Sequence, residues 1–483
     1  MTLGSAINSA LSGLSMASRA TLTIASNVAN ATTEGYARRE LETVARDAAR
    51  GSPGVRVVTE NRILDTGLLG ERRRTDAAVA ASATRADALS TLERAFGVPG
   101  EPGALVTRVG QFEAALIEAA SRPDSISRLD TVLREAQGLA GDIATLARQV
   151  QDGRNAADLE LQSEVARLND GLAEVHRLNG LIQREIATGQ VPNGLKDQRQ
   201  RVIDGLADLV PLREVERPGG RVVLFTDNGG ILLDSQPARF EVTSLVNPVD
   251  ANVTAPAERR LVLVVGDRPA PEDRVDIQPT APGMLAGGRI EALFDIRDVL
   301  LPKEQAGLDA LAKDLIDRFA GVEPPGEGGL FVDTDPDAPG PLLGLAQRLG
   351  VDARVSGPDG DVRLLRTGLG GTPPGFPGDG TRLDALAKAL QKFEGLGEEG
   401  GAARDFAGHV ADLAAGIGRN RDGAEVRLAS AMARNTALRE NEAGFGVDTD
   451  AEMQRLLVME RLYAANARVL TAADEMMQRL LAI

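Results

Sequence analysis

Residues 1–33, MTLGSAINSALSGLSMASRATLTIASNVANATT, carry one charged side chain, Arg19. Their apolar or small residues recur at alternating steps of four and three: Leu3, Ile7, Ala10, Leu14, Ala17, Thr21, Ile24 and Val28. More than 400 residues later the pattern returns as Leu456, Met459, Tyr463, Asn466, Leu470, Ala473, Met477 and Leu480. A 3.5-residue repeat is the seam of a coiled coil, so both ends are built to bind helices. Leu11, Leu22, Ala25 and Ala29 add a second row to the first helix, and Leu462, Val469, Met476 and Ile483 add one to the last. Pairing the two helices leaves those second rows over, and packing between subunits is the expectation for them. Such a chain reads as a piece of an assembly.

The N-terminal helix is weak on its own. Gly13, several serines and the β-branched Thr21, Thr23, Ile24 and Val28 lower its propensity, so packing must supply its stability.

At 483 residues the chain is long enough for two to four domains. Aromatic residues make up 3%, with no Trp and two Tyr, which suits long Ala/Leu/Val helices. Net charge is −16, which argues against binding nucleic acid or an anionic membrane surface. The absence of cysteine excludes disulfides, thiolate metal sites and cysteine nucleophiles. Ser5, Asn8, Ser9, Ser12 and Ser15 interrupt any apolar leader core, and no apolar run reaches the roughly 20 residues of a membrane span. A soluble chain, exported if at all without a cleaved signal peptide and without membrane insertion, is expected.

The fold class expected is mainly α with a β insertion. Terminal helices pair as a coiled coil (1–40 and 441–483). An elongated helical rod is built from 41–212, 286–322 and 384–440, a β-rich outer domain from 213–285, and an irregular or β segment from 323–383. Within the first connector, Gly54-Val55-Arg56-Val57-Val58 alternates like a strand. Helices are expected over 75–96, 104–121, about 195–210 and 288–320, with a Gly/Pro break at Pro99–Gly103. Leu129, Val132, Ala136, Leu139, Ile143, Leu146 and Val150 form one heptad stripe and Leu161 to Ile186 a second, with a weak point at Asp152-Gly153. Both stripes read as internal core. Strands are expected at 221–225, 231–233, 240–245 and 261–265, with a hairpin at Asn228-Gly229 and a short strand at 361–366. The last helical region is expected to break near 396–402 and 443–448.

Catalytic, metal and cofactor sites are not indicated. His176 and His409 are the two histidines, and no Ser/His/Asp spacing surrounds them. Asp333-x-Asp335-x-Asp337 resembles the start of a calcium loop but lacks its glycine and its closing glutamate, so it reads as a solvated acidic loop. Gly368-Leu369-Gly370-Gly371-Thr372 lacks the Lys-Ser/Thr of a phosphate loop and reads as a turn.

Motifs at the two termini and in the interior remain. Ala10-Leu11-Ser12-Gly13-Leu14, Ser26-Asn27-Val28-Ala29-Asn30 and Thr33-Glu34-Gly35-Tyr36-Ala37-Arg38 resemble the N-terminal signature of the flagellar axial proteins: rod, hook and hook-associated. Gly446-Val447-Asp448-Thr449-Asp450-Ala451-Glu452 and Tyr463-Ala464-Ala465-Asn466 resemble the matching C-terminal signature, in which Thr449 and Glu452 would form a capping box. Pro192-Asn193-Gly194-Leu195-Lys196-Asp197-Gln198-Arg199 and Gly288-Arg289-Ile290-Glu291-Ala292-Leu293-Phe294 resemble internal motifs of the FlgK-type hook-associated proteins. Gly194 stands where that family has an acidic residue, and Asp448 where it usually has Asn.

The resemblance implies a structural subunit, not an enzyme, at the hook–filament junction of the bacterial flagellum. It implies as partners copies of itself in a ring, the hook protein, the second junction protein, an export chaperone and the type III export apparatus. It also implies terminal helices that order on assembly. The residues it places at assembly interfaces are Leu3, Ile7, Leu11, Leu14, Ile24 and Val28 with Leu456, Met459, Tyr463, Asn466, Leu470, Met477 and Leu480. Its motif residues are Asn27, Asn30, Gly35, Tyr36, Asn193, Asp197, Gln198 and Arg199. Asn466 either sets the register of the seam or faces solvent. The alternatives are another axial protein, such as a hook or rod subunit, or an axial protein carrying a cell-wall hydrolase.

Overall fold

A computed structural model describes residues 3–46, 54–97, 103–242, 261–264, 274–277, 283–337, 342–370, 376–396 and 402–481. Ile483, Gly371-Thr372, the centre of the Pro99–Gly103 break, residues 397–401, and the ends of the expected strands at 243–245 and 265 lie outside those residues.

The chain is mainly α-helical with small antiparallel sheets. From the N-terminus the elements are α1 (Leu3–Ala29), the hairpin β1 (Arg39–Arg46) and β2 (Gly54–Arg62), α2 (Thr66–Phe96), α3 (Leu105–Ser121), α4 (Ile126–Ala187) and α5 (Asn193–Leu206). Six strands follow: β3 (Leu212–Arg217), β4 (Arg221–Thr226), β5 (Ile231–Leu233), β6 (Arg239–Val242), β7 (Leu261–Val264) and β8 (Arg274–Ile277). They form two three-stranded sheets, β3-β4-β5 and β6-β7-β8. Then come α6 (Arg289–Asp295), a π-helical turn (Ile296–Leu300) and α7 (Leu301–Ala320). Short elements follow: β9 (Phe331–Asp333), α8 (Leu345–Arg348), β10 (Leu349–Val351), α9 (Ala353–Ser356) and α10 (Leu364–Thr367). The chain closes with α11 (Thr381–Gln391), α12 (Phe406–Ala443) and α13 (Thr449–Leu481).

These elements make two compact units. One comprises residues 1–79, 167–239 and 430–483; the other comprises 80–166 and 240–429.

In the first unit an ionic network stands inside the helical packing. Arg72 contacts Asp76, Asp204 and Glu442, each at 2.7 Å, and Arg73 contacts Asp204 and Glu214 at the same distance. Both arginines are buried. Burial pushes the Glu442 carboxyl above its ordinary range, against the pull of Arg72. The β4–β5 turn uses Gly229 at φ 82°, and Thr226 closes it through its amide to the Gly230 carbonyl at 2.8 Å. A positive φ favours glycine, as the Asn-Gly signal requires.

The core of the second unit holds Phe112, Phe319 and Phe331, with ring centroids 4.9–5.7 Å apart. These rings concentrate the chain's few aromatics where they bury most area. Arg297, in the π-helical turn, has no exposed surface; it bonds Asp158 at 2.5 Å and Asp298 at 2.8 Å and lies over the Phe294 ring.

Several local expectations are revised. The weak point at Asp152-Gly153 does not break α4, which runs 62 residues; Gly153 instead lies against Leu301, where a Cβ would come within 3.1 Å. The helix expected from 75 begins at Thr66, where Asp65 accepts from the amides of Gly67 and Leu68. Residues 364–367 form a helical turn in place of the end of a strand, with Asp361 accepting from the Arg363 amide. No helix of the described residues is long and apolar enough to cross a membrane.

Candidate assembly surface

Helices α1 and α13 pair in antiparallel sense. Gly13 lies against Asn466; fourteen residues further along α1, Asn27 meets Glu452, fourteen residues earlier on α13. Two heptads on each helix thus keep one register.

The buried row of α1 is Ala10, Gly13, Ala17, Ile24 and Asn27. It shares Ala10, Ala17 and Ile24 with the heptad read from sequence, but Gly13 and Asn27 replace Leu14 and Val28. The reason is size. Small residues let the backbones approach, and Asn466 fills the space over Gly13, where an added Cβ would lie 2.7 Å from its amide nitrogen. Asn466 therefore faces the seam, and its Nδ2 also donates to the Leu462 carbonyl at 2.9 Å. Of the residues named as interface candidates, Ile24 is buried; Leu3, Ile7, Leu14, Val28, Leu456, Met459, Asn466 and Leu470 are half-buried. Leu11 (51%), Tyr463 (51%), Met477 (41%) and Leu480 (67%) are exposed. With Leu22, Leu457, Val458, Val469 and Met476 they leave an apolar band uncovered on the pair. Apolar side chains left open in this way make the pair a candidate contact surface for another molecule.

The base of the pair is held by the motif residues. Asn27 donates to the Arg39 carbonyl at 2.9 Å, and its oxygen accepts from the Arg39 amide at 3.0 Å and the Tyr36 hydroxyl at 2.9 Å. Its amide also donates to Glu452 at 3.2 Å. One side chain thereby fixes where β1 begins and where α13 begins. Burial pushes the Tyr36 hydroxyl up, only partly offset by its contact with Ser26. Asn30 caps the end of α1 by donating to the Ser26 carbonyl at 2.8 Å.

Gly35 follows at φ 73°, in the left-handed region. A Cβ there would lie 2.2 Å from Arg201 on α5. Asp197, also on α5, accepts from Arg39 at 3.0 Å and Arg62 at 2.8 Å, so it clasps both strands of the hairpin. Asn193 donates to the Glu60 carbonyl at 3.1 Å. Arg199 donates to Asn179 at 2.8 Å and to the Gly220 carbonyl at 2.6 Å. Gln198 is half-buried beside them. Burial lowers the pKa of Arg62, with Asp197 opposing, and burial likewise lowers that of Arg199.

Glu452 is a residue that sequence reasoning placed in another role. The cap of α13 is Asp448, whose carboxylate accepts from the Asp450 and Ala451 amides at 3.0 Å. With that position filled, Glu452 lies one step past the capping box. It is 1% exposed and takes Asn27, Arg38 and Arg455. Asn and Asp cap equally well, which explains the Asp448 departure. Gly13 was also missed as a seam residue; its signal was a glycine three residues after Ala10 and four before Ala17, in a row that Ile24 continues seven residues on.

The remaining candidates have structural roles. His409 is buried with its Nε2 2.8 Å from the Glu394 carbonyl oxygen. Asp333 is held by Arg348 at 3.0 Å. No group of three or more metal-ligating side chains is assembled among the described residues.

Comparisons with known proteins meet this geometry at three places. Residues 89–327 match the model of the flagellar hook-associated protein FlgK helical domain. Residues 443–483 match the flagellar basal body rod FlgEFG protein C-terminal model, and residues 7–36 the flagella basal body rod protein model. The chain is 25% identical to flagellar hook-associated protein 1 of Bacillus subtilis, over 98% of this chain and 97% of that protein. It is 24% identical to flagellar hook-associated protein 1 of Salmonella typhimurium, over 49% of this chain and 44% of that one. Among solved structures, the flagellar hook junction protein FlgK from Burkholderia pseudomallei aligns with TM-score 0.45 and 20% identity, over 55% of this chain and 46% of that chain.

Proposed function

The chain belongs to the FlgK family of flagellar hook-associated proteins, and on that premise we propose that it is a structural subunit of the hook–filament junction, needed for a filament to grow on the hook. The observation that carries the reading is the α1/α13 pair. It is joined at its base by the family's motif residues and it leaves an apolar band uncovered. A free enzyme has no use for such a band; a subunit that stacks with its like does.

In this reading the paired terminal helices form the inner layer. Partners are other copies of the chain in a ring, the hook protein, the second junction protein, and an export chaperone that holds the C-terminal region before passage through the type III apparatus. The site of action is the extracellular flagellum. The role is structural, as the names of the relatives suggest.

A rod or hook subunit is the second reading. It is favoured by the rod-protein models that match both termini. The helical-domain match over 89–327 favours the junction. Immunogold labelling of isolated hook–filament complexes tests the choice. Label confined to the short zone where hook meets filament is expected. Label along the hook, or on the rod, would contradict it.

A further inference from the structure

Asn-Gly occurs three times in the chain, as Asn179-Gly180, Asn193-Gly194 and Asn228-Gly229. This dipeptide carries a chemistry of its own. The glycine nitrogen can attack the side-chain carbonyl carbon of the asparagine, because glycine has no side chain to block the approach and lets the backbone turn. A bond forms from that nitrogen to Cγ, the bond from Cγ to Nδ2 breaks, and ammonia leaves. Water then opens the cyclic imide at either carbonyl. The products are aspartate and isoaspartate, and in isoaspartate the main chain runs through the side-chain carbon. Water is the only co-reactant.

The fold sorts the three pairs. Asn179 lies inside α4 and is 3% exposed. Its Nδ2 donates to the Val222 carbonyl at 2.9 Å, and its Oδ1 accepts from the Val222 amide at 3.1 Å and from Arg199 at 2.8 Å. Asn193 opens α5, is 5% exposed and donates to the Glu60 carbonyl at 3.1 Å. Both side chains are held and shut away from water, so reaction there waits on local unfolding. Asn228 and Gly229 are exposed in the β4–β5 turn. Nothing lies within 4 Å of a Cβ added at Gly229, so no neighbouring group crowds that face of the turn. The attacking Gly229 amide donates to the Thr226 carbonyl at 2.9 Å. The exposed tip of a short hairpin gives up such a bond more readily than a helix gives up its ladder.

We propose that Asn228 is a self-modification site, converting to aspartate and isoaspartate in the folded protein well ahead of Asn179 and Asn193. Either product adds a negative charge beside Asp227, which Arg74 holds at 3.0 Å. Isoaspartate also adds a methylene to the main chain between the Thr226 carbonyl and the Gly229 amide that close the turn. Turn geometry sets the register of a hairpin, so this product loosens the junction of β4 and β5.

Trypsin places the three pairs on separate peptides, residues 178–184, 185–196 and 222–239, bounded by Arg177, Arg184, Lys196, Arg221 and Arg239. The full chain is kept folded in warm, mildly alkaline buffer, which frees the attacking nitrogen of its proton more often, then digested and analysed by mass spectrometry. Peptide 222–239 is expected to gain the mass of a hydroxyl over an amino group and to split into two chromatographic peaks. It should do so about tenfold or more ahead of the other two, since those must open locally first. A parallel sample unfolded in guanidinium chloride should lose that preference. The converted fraction should melt below the fresh protein, while ageing should leave the melting temperature of Asn228→Gln unmoved, because its longer side chain is slow to cyclise. A folded chain whose 222–239 peptide stays unchanged, or changes no faster than the other two, overturns the proposal. A preference that persists in the unfolded sample overturns the role given to the fold, and a converted fraction that melts as the fresh protein does overturns the loosening of the turn. The junction reading stands in each case.

Discussion

Asn27 shows how much of this molecule is decided at single residues. It satisfies both backbone groups of Arg39, the Tyr36 hydroxyl and Glu452 from one buried amide. Gly13 is the matching case on the seam, where the absence of a side chain is what lets Asn466 in. Gly13→Val is expected to drive the two helices apart at that level. The cost should be about 1–3 kcal/mol, as for overpacking, read as a lowered melting temperature and faster proteolysis of the termini. Glu304 gives a prediction about pH. Burial raises its pKa above 4.5, against a smaller pull from Lys303. A raised folded-state pKa means its favourable contribution is complete below the unfolded value and is lost as pH rises through the folded one. Glu304→Gln should therefore raise the melting temperature at pH 7 and leave it nearly unchanged near pH 4. A stabilisation that grew toward low pH would refute the assignment. The motif residues were visible in the sequence as letters, but their partners were not. Asp197 reaches Arg39 and Arg62 across more than 130 residues, and no local pattern encodes that.

At the scale of elements, periodicity was legible wherever one face is buried over many turns. The stripe from Leu129 to Val150 is buried throughout, as its spacing required. Periodicity failed where small residues take the place of large ones. The heptad of α1 includes Ala10, Ala17 and Ile24, which are buried, but it takes Leu14 and Val28 where Gly13 and Asn27 face the seam. Glycine punctuation also misled at Gly153, which stays inside α4 and lies close against Leu301. Gly194 is different. It occupies the first turn of α5, exposed, with nothing within 4 Å of an added Cβ, and that turn has no acidic residue. Gly194→Asp, the acidic type that the family's motif has there, should stabilise the chain by about 0.5–1.5 kcal/mol. It would remove a helix glycine and place a carboxylate at the positive end of the dipole. Chemical denaturation would show it as a higher midpoint with an unchanged slope. A lower midpoint would mean that Gly194 is needed for a contact made only on assembly.

For the molecule as a whole, the termini hold the argument together. Two segments more than 400 residues apart meet through Asn27 and Glu452, and the pair they make is only partly covered by its own chain. Leu470 lies half-buried at the edge of that pair. Leu470→Asp is expected to leave the helical region folded and the protein soluble while abolishing filament growth in complemented cells. A variant that still built filaments would show that this edge is not an assembly contact. The mainly helical class with a β insertion could be read from texture alone, since Val/Gly/Pro/Asp-rich sequence marks where helices stop. How the uncovered rows are satisfied could not, because the partners proposed for them are other molecules.

The most direct measurement is electron microscopy of a strain lacking this gene, with and without the gene restored. Complete hooks that end bare, flagellin released to the medium, and filaments regained on restoration are the predicted result. Cells without hooks would place the subunit earlier, in rod or hook, and normal filaments in the deletion strain would contradict the account.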